Sequence, residues 1–166
     1  MSATAPKTMS PDATRMLDRI DRQILDALQR DGRLTMGELA ERVALSPSPC
    51  WRRVQLLERS GFITGYHARL DRKRLGLGVH GFVSVRMENH TPAVADNFER
   101  QVVALPEVVA CHNLSGVHDY QLELIAADHE AFARLVREKI RSLPGVKDIY
   151  TSFTLRELKA GGSLPL

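Results

Sequence analysis

The first third of the chain arranges apolar residues at helical spacing. A first helix is predicted over residues 17–31, and its apolar stripe consists of Leu17, Ile20, Ile24, Leu25 and Leu28. Two shorter helices joined by a tight turn are predicted within residues 34–61. Thr35 and Glu38 form the pattern of a capping box at the start of the first of these, and Ser46 is expected to cap the second.

The last of these helices has an apolar face and a polar face. Its apolar stripe consists of Cys50, Val54 and Leu57. The opposite side carries Ser48, Arg52, Gln55 and Arg59, flanked by Trp51 and Arg53. Arginine reads guanine edges, glutamine reads adenine, and serine bonds bases or phosphates. The pattern therefore favours a helix-turn-helix whose last helix enters the major groove of DNA, with an ordinary solvated helical hairpin as the alternative.

The segment after Gly61 has two short β-type runs around Gly65. Residues 62–71 are therefore expected to form a small hairpin, the wing of a winged helix. Four basic residues lie at its end and either reach DNA phosphates or line a solvated linker: Arg69, Arg72, Lys73 and Arg74. Two glycines and a change of composition place the predicted linker at residues 72–78.

The second half of the chain follows the order β-α-β-β-α-β. Strands are expected where apolar residues alternate with polar ones, and helices where they recur every three or four residues. The predicted elements are strands over 79–88, 107–114, 119–127 and 146–159, a helix that Pro92 opens, and a helix over 129–143. This order is typical of a ferredoxin-like domain. The predicted fold class is α+β, an N-terminal winged helix-turn-helix followed by a ferredoxin-like βαββαβ domain.

In that arrangement both helices cover one face of a four-stranded antiparallel sheet. The other face is then either polar or covered by a partner. Its predicted residues are mixed in character, which fits a subunit interface or a solvated sheet: Phe82, Ser84, Cys111, Asn113, Gln121, Tyr150 and Ser152. DNA-binding modules of this kind usually act as dimers on paired half-sites, so association into a homodimer is expected.

Charge is divided unevenly between the two halves of the chain. The 166 residues carry a formal net charge of +3. Residues 15–74 hold 13 Lys or Arg against 8 Asp or Glu, whereas residues 75–166 hold 9 against 11. The basic excess therefore accompanies the helix-turn-helix, as expected where phosphate neutralisation supplies much of the affinity for nucleic acid.

Other bulk features bear on location and organisation. The chain begins without the apolar core of a signal peptide, and no apolar run reaches the length of a membrane span. Cys50 and Cys111 lie far apart and suggest no disulfide framework. We therefore expect a cytoplasmic protein. Its predicted organisation is a disordered tail at 1–14, a DNA-binding domain at 15–71, the linker, a ferredoxin-like domain at 79–160 and a C-terminal tail at 161–166.

Several segments in this order resemble the Lrp/AsnC family, the feast/famine regulators of bacteria and archaea. The resemblance runs from Leu17 to Lys159. It includes Leu-Ser-Pro-Ser-Pro-Cys-Trp-Arg-Arg-Val at 45–54, Leu-Glu-Arg-Ser-Gly-Phe-Ile-Thr-Gly-Tyr at 57–66 and Ser-Gly-Val-His-Asp-Tyr at 115–120. The Pro-Cys-Trp-Arg-Arg stretch is more similar to the Lrp branch than to the AsnC branch.

The resemblance implies a transcriptional regulator that binds double-stranded DNA and a small effector, usually an amino acid, and assembles into dimers and often octamers. Such proteins control genes of amino-acid metabolism. The implied DNA-facing positions, together with Gln55 of the polar helix face, are Ser46, Ser48, Trp51, Arg52 and Arg53. The implied effector-binding positions are Ser115, Gly116, Val117, His118, Asp119 and Tyr120, with Thr151 and Ser152 opposite.

The chemistry of the turn at 115–119 suits an amino acid. Gly116 lets backbone amides face a carboxylate, and Asp119 is an acceptor for an α-ammonium group. From spacing alone, a purely structural turn, in which Asp119 caps its own backbone, is the alternative. Related Lrp-like sequences often carry an acidic residue soon after this glycine, where this chain has Val117 and His118, so the effector's identity stays open.

The sequence also bears on other function classes. Ser115, His118 and Asp119 lie close in sequence, but catalytic triads are assembled from separate elements and no nucleophile-elbow motif is present, so no catalytic residues are predicted. The six histidines show no metal-ligand spacing, and no metal or cofactor is expected. An architectural protein that wraps DNA without a ligand, and a sensor that does not bind DNA, remain the alternatives.

Overall fold

The computed structural model describes residues 16–166; the tail predicted at 1–14 lies outside them. The chain divides into two compact units. The first contains the described residues up to Arg69 together with Lys159–Leu166, and the second is Leu70–Leu158. Within residues 16–166 no helix combines the length and hydropathy that a bilayer-spanning segment needs.

Three helices build the first unit: α1 (Arg19–Arg30), α2 (Met36–Arg42) and α3 (Pro47–Arg59). Each has one apolar face, and these faces meet in a single core. The fully buried members are Ile24, Leu39, Ala40, Val43, Cys50, Val54 and Leu57. The predicted apolar stripe of α3 is thereby confirmed, and its other side is free for contacts.

The two predicted helix caps differ. At α2 the capping box forms: the Thr35 N–H donates to Glu38 Oε2 at 2.7 Å, and the Glu38 N–H donates to Thr35 Oγ1 at 3.3 Å. Ser46 occupies the N-cap position of α3, but its side chain makes no capping hydrogen bond, so that prediction was wrong. The reason is chemical, because Pro49 stands at N3, where a cap would normally find an N–H donor.

The predicted hairpin at 62–71 is absent, since these residues form no strand. The segment is held instead by tertiary hydrogen bonds within the first unit. The Tyr66 hydroxyl donates to Glu58 Oε1 at 3.0 Å, and Arg69 Nη2 donates to the Ala160 carbonyl at 3.0 Å. The backbone N–H groups of Phe62 and Ile63 donate to the Leu57 carbonyl at 2.9 and 3.2 Å, so they are not available to pair with the second β-type run.

The second unit is a four-stranded antiparallel sheet with two helical segments. Its elements are β1 (Val79–Met87), α4 (Pro92–Val102), β2 (Val108–Asn113), β3 (Tyr120–Ala126), α5 (His129–Leu135) and β4 (Val146–Phe153). The strand order is β2-β3-β1-β4. This is the ferredoxin-like βαββαβ arrangement that the sequence pattern predicts.

Two elements end differently from the prediction. The helix predicted over 129–143 leaves α-helical geometry after Leu135 and continues as a π turn, Val136–Ile140, closed by a bond from the Arg141 N–H to the Val136 carbonyl. The last strand ends at Phe153 rather than at residue 159. The core between helices and sheet nevertheless contains the predicted helix residues Phe132, Leu135, Val136, Ile140 and Leu143.

The uncovered face of the sheet is partly as predicted. Phe82 pairs with Ser152 and Ser84 with Tyr150 across β1 and β4 on that face. Cys111 and Asn113 were assigned to it wrongly, because they pair with the buried residues Leu122 and Tyr120 and so point to the helix side. A register shift between Val108 and Ala110 sets this phase.

Candidate DNA-binding and effector-binding sites

Helix α3 presents an open polar surface opposite its buried stripe. Ser46, Ser48 and Arg52 are exposed, and Trp51 is 53% exposed, which is unusual for so large a side chain. Arg52 makes no ion pair or side-chain hydrogen bond with any residue of 16–166, so its guanidinium is available to a partner. Gln55 is half-buried, and its Nε2 donates to Glu58 Oε2 at 3.0 Å.

A shallow pocket of about 360 Å³ lies at the N-terminal end of this surface. It is lined by Met36 of α2 and by Pro47, Ser48, Trp51 and Arg52 of α3. Apolar walls beside a hydroxyl and a guanidinium match the mixed surface of a base edge in the major groove, where methyl groups and hydrogen-bonding atoms alternate.

Arg53 differs from its neighbour Arg52. Its Nη1 lies 2.7 Å from Asp18 Oδ2 and 2.8 Å from Asp21 Oδ1, and the Asp21 side chain is completely buried. The hydrogen bonds to Asp18 and then to Asp21 raise the pKa of Arg53, while the Asp21 N–H and then Arg53 lower the pKa of Asp18. This nitrogen therefore ties α3 to α1, a role that the sequence pattern did not predict; contact between Arg53 and DNA stays a prediction.

The turn between β2 and β3 is held at both ends and open in the middle. The Leu114 N–H donates to the Asp119 carbonyl at 2.8 Å, and the Asp119 N–H donates to the Val85 carbonyl at 2.9 Å. Between them, the backbone N–H groups of residues 115–118 find no acceptor within the part of the chain that the structure describes. A Cβ on Gly116 would meet no atom within 4 Å, but its φ of +158° is one that residues with a side chain rarely adopt, so backbone conformation rather than crowding favours glycine here.

The Asp119 carboxylate lies beside this turn with both oxygens engaged. Its Oδ2 accepts the Met87 N–H at 2.7 Å, and its Oδ1 lies 2.8 Å from His90 Nε2. The Met87 N–H first and then His90 hold the pKa of Asp119 below its ordinary value, against the opposing effect of burial. His90 was missed by sequence reasoning because it lies 29 residues away, and at 71% side-chain exposure it is free to leave.

Asp119→Asn is expected to reduce the loss of stability in acid by about 1.5 kcal/mol, the low end of the scale for a hydrogen bond to a charged group. Because the folded-state pKa of Asp119 is lowered, the carboxylate stabilises the fold above the ordinary pKa of 3.8, and this contribution is lost as pH falls through the folded-state pKa. Urea unfolding at pH 6 and at pH 3 measures the difference. Equal pH dependence in both proteins would contradict the assignment.

The remaining predicted effector residues are distributed over both faces of the sheet. The His118 ring contacts the Tyr150 ring at a centroid distance of 5.0 Å, so β4 does reach the turn, but through Tyr150. Tyr120 is buried on the helix side, where its hydroxyl donates to Glu99 Oε1 at 2.8 Å. Thr151 pairs with Val83 of β1. Val83 lies about 7 Å along the strand from Val85, whose carbonyl accepts the Asp119 N–H. Thr151 and Ser152 stay predictions.

Comparison with known proteins gives the same two-part division. A family model described as winged helix-turn-helix DNA-binding matches residues 17–64, and one described as Lrp/AsnC ligand binding domain matches residues 80–164. The leucine-responsive regulatory proteins of Escherichia coli K12 and Klebsiella pneumoniae are each 43% identical to this chain over 148 residues, which cover 89% of this chain and 90% of each relative.

Solved structures of transcriptional regulators are also similar to this chain. The transcriptional regulator NMB0573 of Neisseria meningitidis, in complex with L-Met, is 41% identical with a TM-score of 0.87. An AsnC family transcriptional regulator from Agrobacterium tumefaciens is 35% identical with a TM-score of 0.85. Each alignment covers 90% of this chain and 97% of the other. Family models that span most of the chain, and relatives similar along nearly their whole length, show that this chain belongs to the Lrp/AsnC family of transcriptional regulators.

Proposed function

We propose that α3 reads DNA in the major groove through its exposed surface. Ser48, Arg52 and Trp51 supply the base and phosphate contacts, with Ser46 at the helix start and Gln55 further along. The observation that carries this proposal is the division of α3 into a buried stripe and an open polar face that holds an unpaired arginine. The basic excess of residues 15–74 supports it.

Arg52→Ala is expected to weaken specific DNA binding roughly tenfold to a hundredfold, about 1–3 kcal/mol for the loss of a bidentate base contact. Its side chain is exposed, so folding and assembly should not change. Fluorescence anisotropy on a DNA fragment from upstream of the chain's own gene measures the affinity. Arg134→Ala, an exposed arginine of α5, is the matched control. Equal affinities of the two variants would place the contact elsewhere.

We propose further that the turn at 115–119 binds a free amino acid. The unbonded N–H groups of residues 115–118 supply donors for its α-carboxylate. The Asp119 carboxylate accepts its α-ammonium group, with His90 released from Oδ1. The names of the relatives support this choice, since several are leucine-responsive and one solved structure is a complex with L-Met. Val117, His118 and Tyr150 surround the place where the effector's side chain would lie.

The same proposal includes assembly and location. The uncovered sheet face carries Phe82 and the exposed Tyr150 beside polar residues, a mixture that suits contact with a second copy. We propose a cytoplasmic homodimer, or an octamer built from dimers, that controls genes of amino-acid metabolism. Assembly sets the spacing between copies of α3, and the bound amino acid adjusts that spacing.

The experiment is a thermal-shift screen of the twenty amino acids on the full chain, followed by DNA anisotropy and light scattering with each hit. At least one amino acid is expected to raise the melting temperature and to change DNA affinity or assembly state. Asp119→Asn should lose the response and keep basal DNA binding. If no amino acid changes stability, affinity or assembly, the chain is a ligand-independent DNA-wrapping protein; if no salt-sensitive DNA binding is found, the regulator proposal fails.

A further inference from the structure

A second concave site lies within the second unit, away from the turn at 115–119. It is a polar pocket of about 450 Å³, formed where β1 begins, where α5 begins and where the chain leaves β4. The charged and imidazole side chains that line it are those of Arg72, Lys73, His80, His129, Arg156 and Glu157. The turn at 115–119 contacts Val85, six residues from Val79 of this pocket along β1, so the two sites are about 20 Å apart.

The pocket holds positive charge that the protein does not neutralise. Arg72 is positioned by main-chain acceptors, since its Nη1 donates to the Gly78 carbonyl at 3.2 Å and this bond consumes no negative charge. Lys73 and Arg156 form no ion pair with any residue of 16–166. Glu157 is the carboxylate in the lining, so three permanent cations against one anion leave a net charge of +2.

A nearby carboxylate is committed elsewhere. Asp71 Oδ1 accepts the backbone N–H groups of Lys73 and Arg74, and Asp71 Oδ2 lies 3.6 Å from Arg74 Nε, outside the pocket. These bonds shape the turn that presents Arg72 and Lys73. The arrangement therefore directs two cations into the pocket while its own acid group faces away.

The rest of the wall is held in place by interactions on the sheet. His80 is nearly buried, with Nε2 2.7 Å from Glu123 Oε1 and Nδ1 3.0 Å from Thr154 Oγ1. On the opposite side the His129 ring packs on the Phe153 ring at a centroid distance of 5.0 Å. A wall fixed before binding lowers the ordering cost of a ligand, and the volume lies within the range of small-molecule sites.

We propose that this pocket binds either inorganic phosphate or the phosphate monoester group of a small molecule. This is a second ligand besides the amino acid. A phosphate monoester is a dianion near neutral pH and so matches the net charge of +2. Arginine and lysine together are the usual ligands of such a group. DNA supplies the same chemistry, but each of its phosphodiesters carries a single charge along a convex duplex and fits a concave pocket poorly.

The first test is isothermal titration calorimetry of the full chain with inorganic phosphate, at constant ionic strength maintained with chloride. Arg156→Gln and Lys73→Gln are each expected to weaken phosphate binding at least tenfold. Arg74→Gln is the matched control, because Arg74 is a neighbouring arginine, 89% exposed and outside the pocket. Heats no larger than those of chloride, or equal affinities in Arg156→Gln and Arg74→Gln, would overturn the proposal.

The second test separates a free phosphate from a DNA phosphate. In phosphate-free buffer, Arg156→Gln and the unchanged chain are expected to bind the operator fragment with equal affinity. A loss of DNA affinity confined to Arg156→Gln would assign the pocket to the DNA backbone and overturn the proposal of a free ligand. Neither result depends on the amino-acid response, which the Asp119 variant tests separately.

Discussion

Replacing Arg53 with alanine is expected to lower the free energy of unfolding of the helix-turn-helix unit by about 3 kcal/mol, the low end of the range for breaking a buried ion pair. The substitution leaves the buried Asp21 carboxylate without the guanidinium that lies 2.8 Å away, and it removes the link from α3 to α1. Trp51, the single tryptophan of the chain, lies on α3, so its fluorescence follows the unfolding of this unit in urea.

Arg52→Ala is the matched control for this prediction. It removes the same type of side chain from the adjacent position, and its effect on unfolding is expected to stay within about 0.5 kcal/mol, as for surface substitutions in general. The two variants should therefore separate, one losing stability and the other losing DNA affinity. If Arg53→Ala keeps its stability and loses DNA affinity at least as strongly as Arg52→Ala, then Arg53 reads DNA, as its place in the sequence suggested.

The contrast between these two arginines shows what a sequence pattern can predict. Helical periodicity placed Cys50, Val54 and Leu57 correctly in the core, because burial of a stripe follows from local spacing alone. It placed Arg52 on the polar face and Arg53 at its flank, but it could not identify the partners of Arg53, which lie 32 and 35 residues earlier in the chain. The pattern places Asp21 on the apolar side of the first helix, four residues after Leu17 and three before Ile24, but it cannot identify the partner of a buried carboxylate.

The sheet shows the same limit in another form. Alternation identified its strands and their order because each strand buries one face. The face to which each β2 side chain points depends on the register shift between Val108 and Ala110. Such a shift is a property of two paired strands and cannot be predicted from the sequence of one strand. The absent hairpin at 62–71 has a related cause, since the backbone N–H groups of Phe62 and Ile63 donate to the Leu57 carbonyl of α3 instead of pairing locally.

The turn at 115–119 has the chemistry that the sequence suggested, and its role as the effector site stays a prediction. Within the turn at 115–119, open backbone N–H groups lie beside the Asp119 carboxylate, as the sequence chemistry suggested. The partners of that carboxylate, Met87 and His90, come from the end of β1 and the segment after it. Tyr150 reaches His118 where Thr151 and Ser152 were expected. Thr151 points to the other face of β4, and Ser152 points to the same face but lies two residues further from the turn.

Replacing Gly145 with alanine is expected to lower the free energy of unfolding of the second unit by about 3 kcal/mol, from left-handed backbone strain and overpacking together. Gly145 has a φ of +74° between the π turn and β4. A Cβ there would overlap Val94 Cγ1 and lie 2.9 Å from Met87 Cε, so the short, β-branched Val94 side chain would have to be displaced. Chemical unfolding followed by far-ultraviolet circular dichroism measures the loss, and the Trp51 transition should not shift.

Gly76→Ala separates the two causes of that loss. Gly76 lies in the same unit with a φ of +77°, but a Cβ there would meet no atom within 4 Å. It should therefore show the backbone strain alone, about 1 kcal/mol. Adding Val94→Ala to Gly145→Ala removes the methyl group in the way and should recover part of the difference, a coupling of about 1–2 kcal/mol in a double-mutant cycle. If Gly145→Ala costs no more than Gly76→Ala, or the coupling is zero, the close packing of Val94 on Gly145 does not limit this position, and backbone strain is its whole cost.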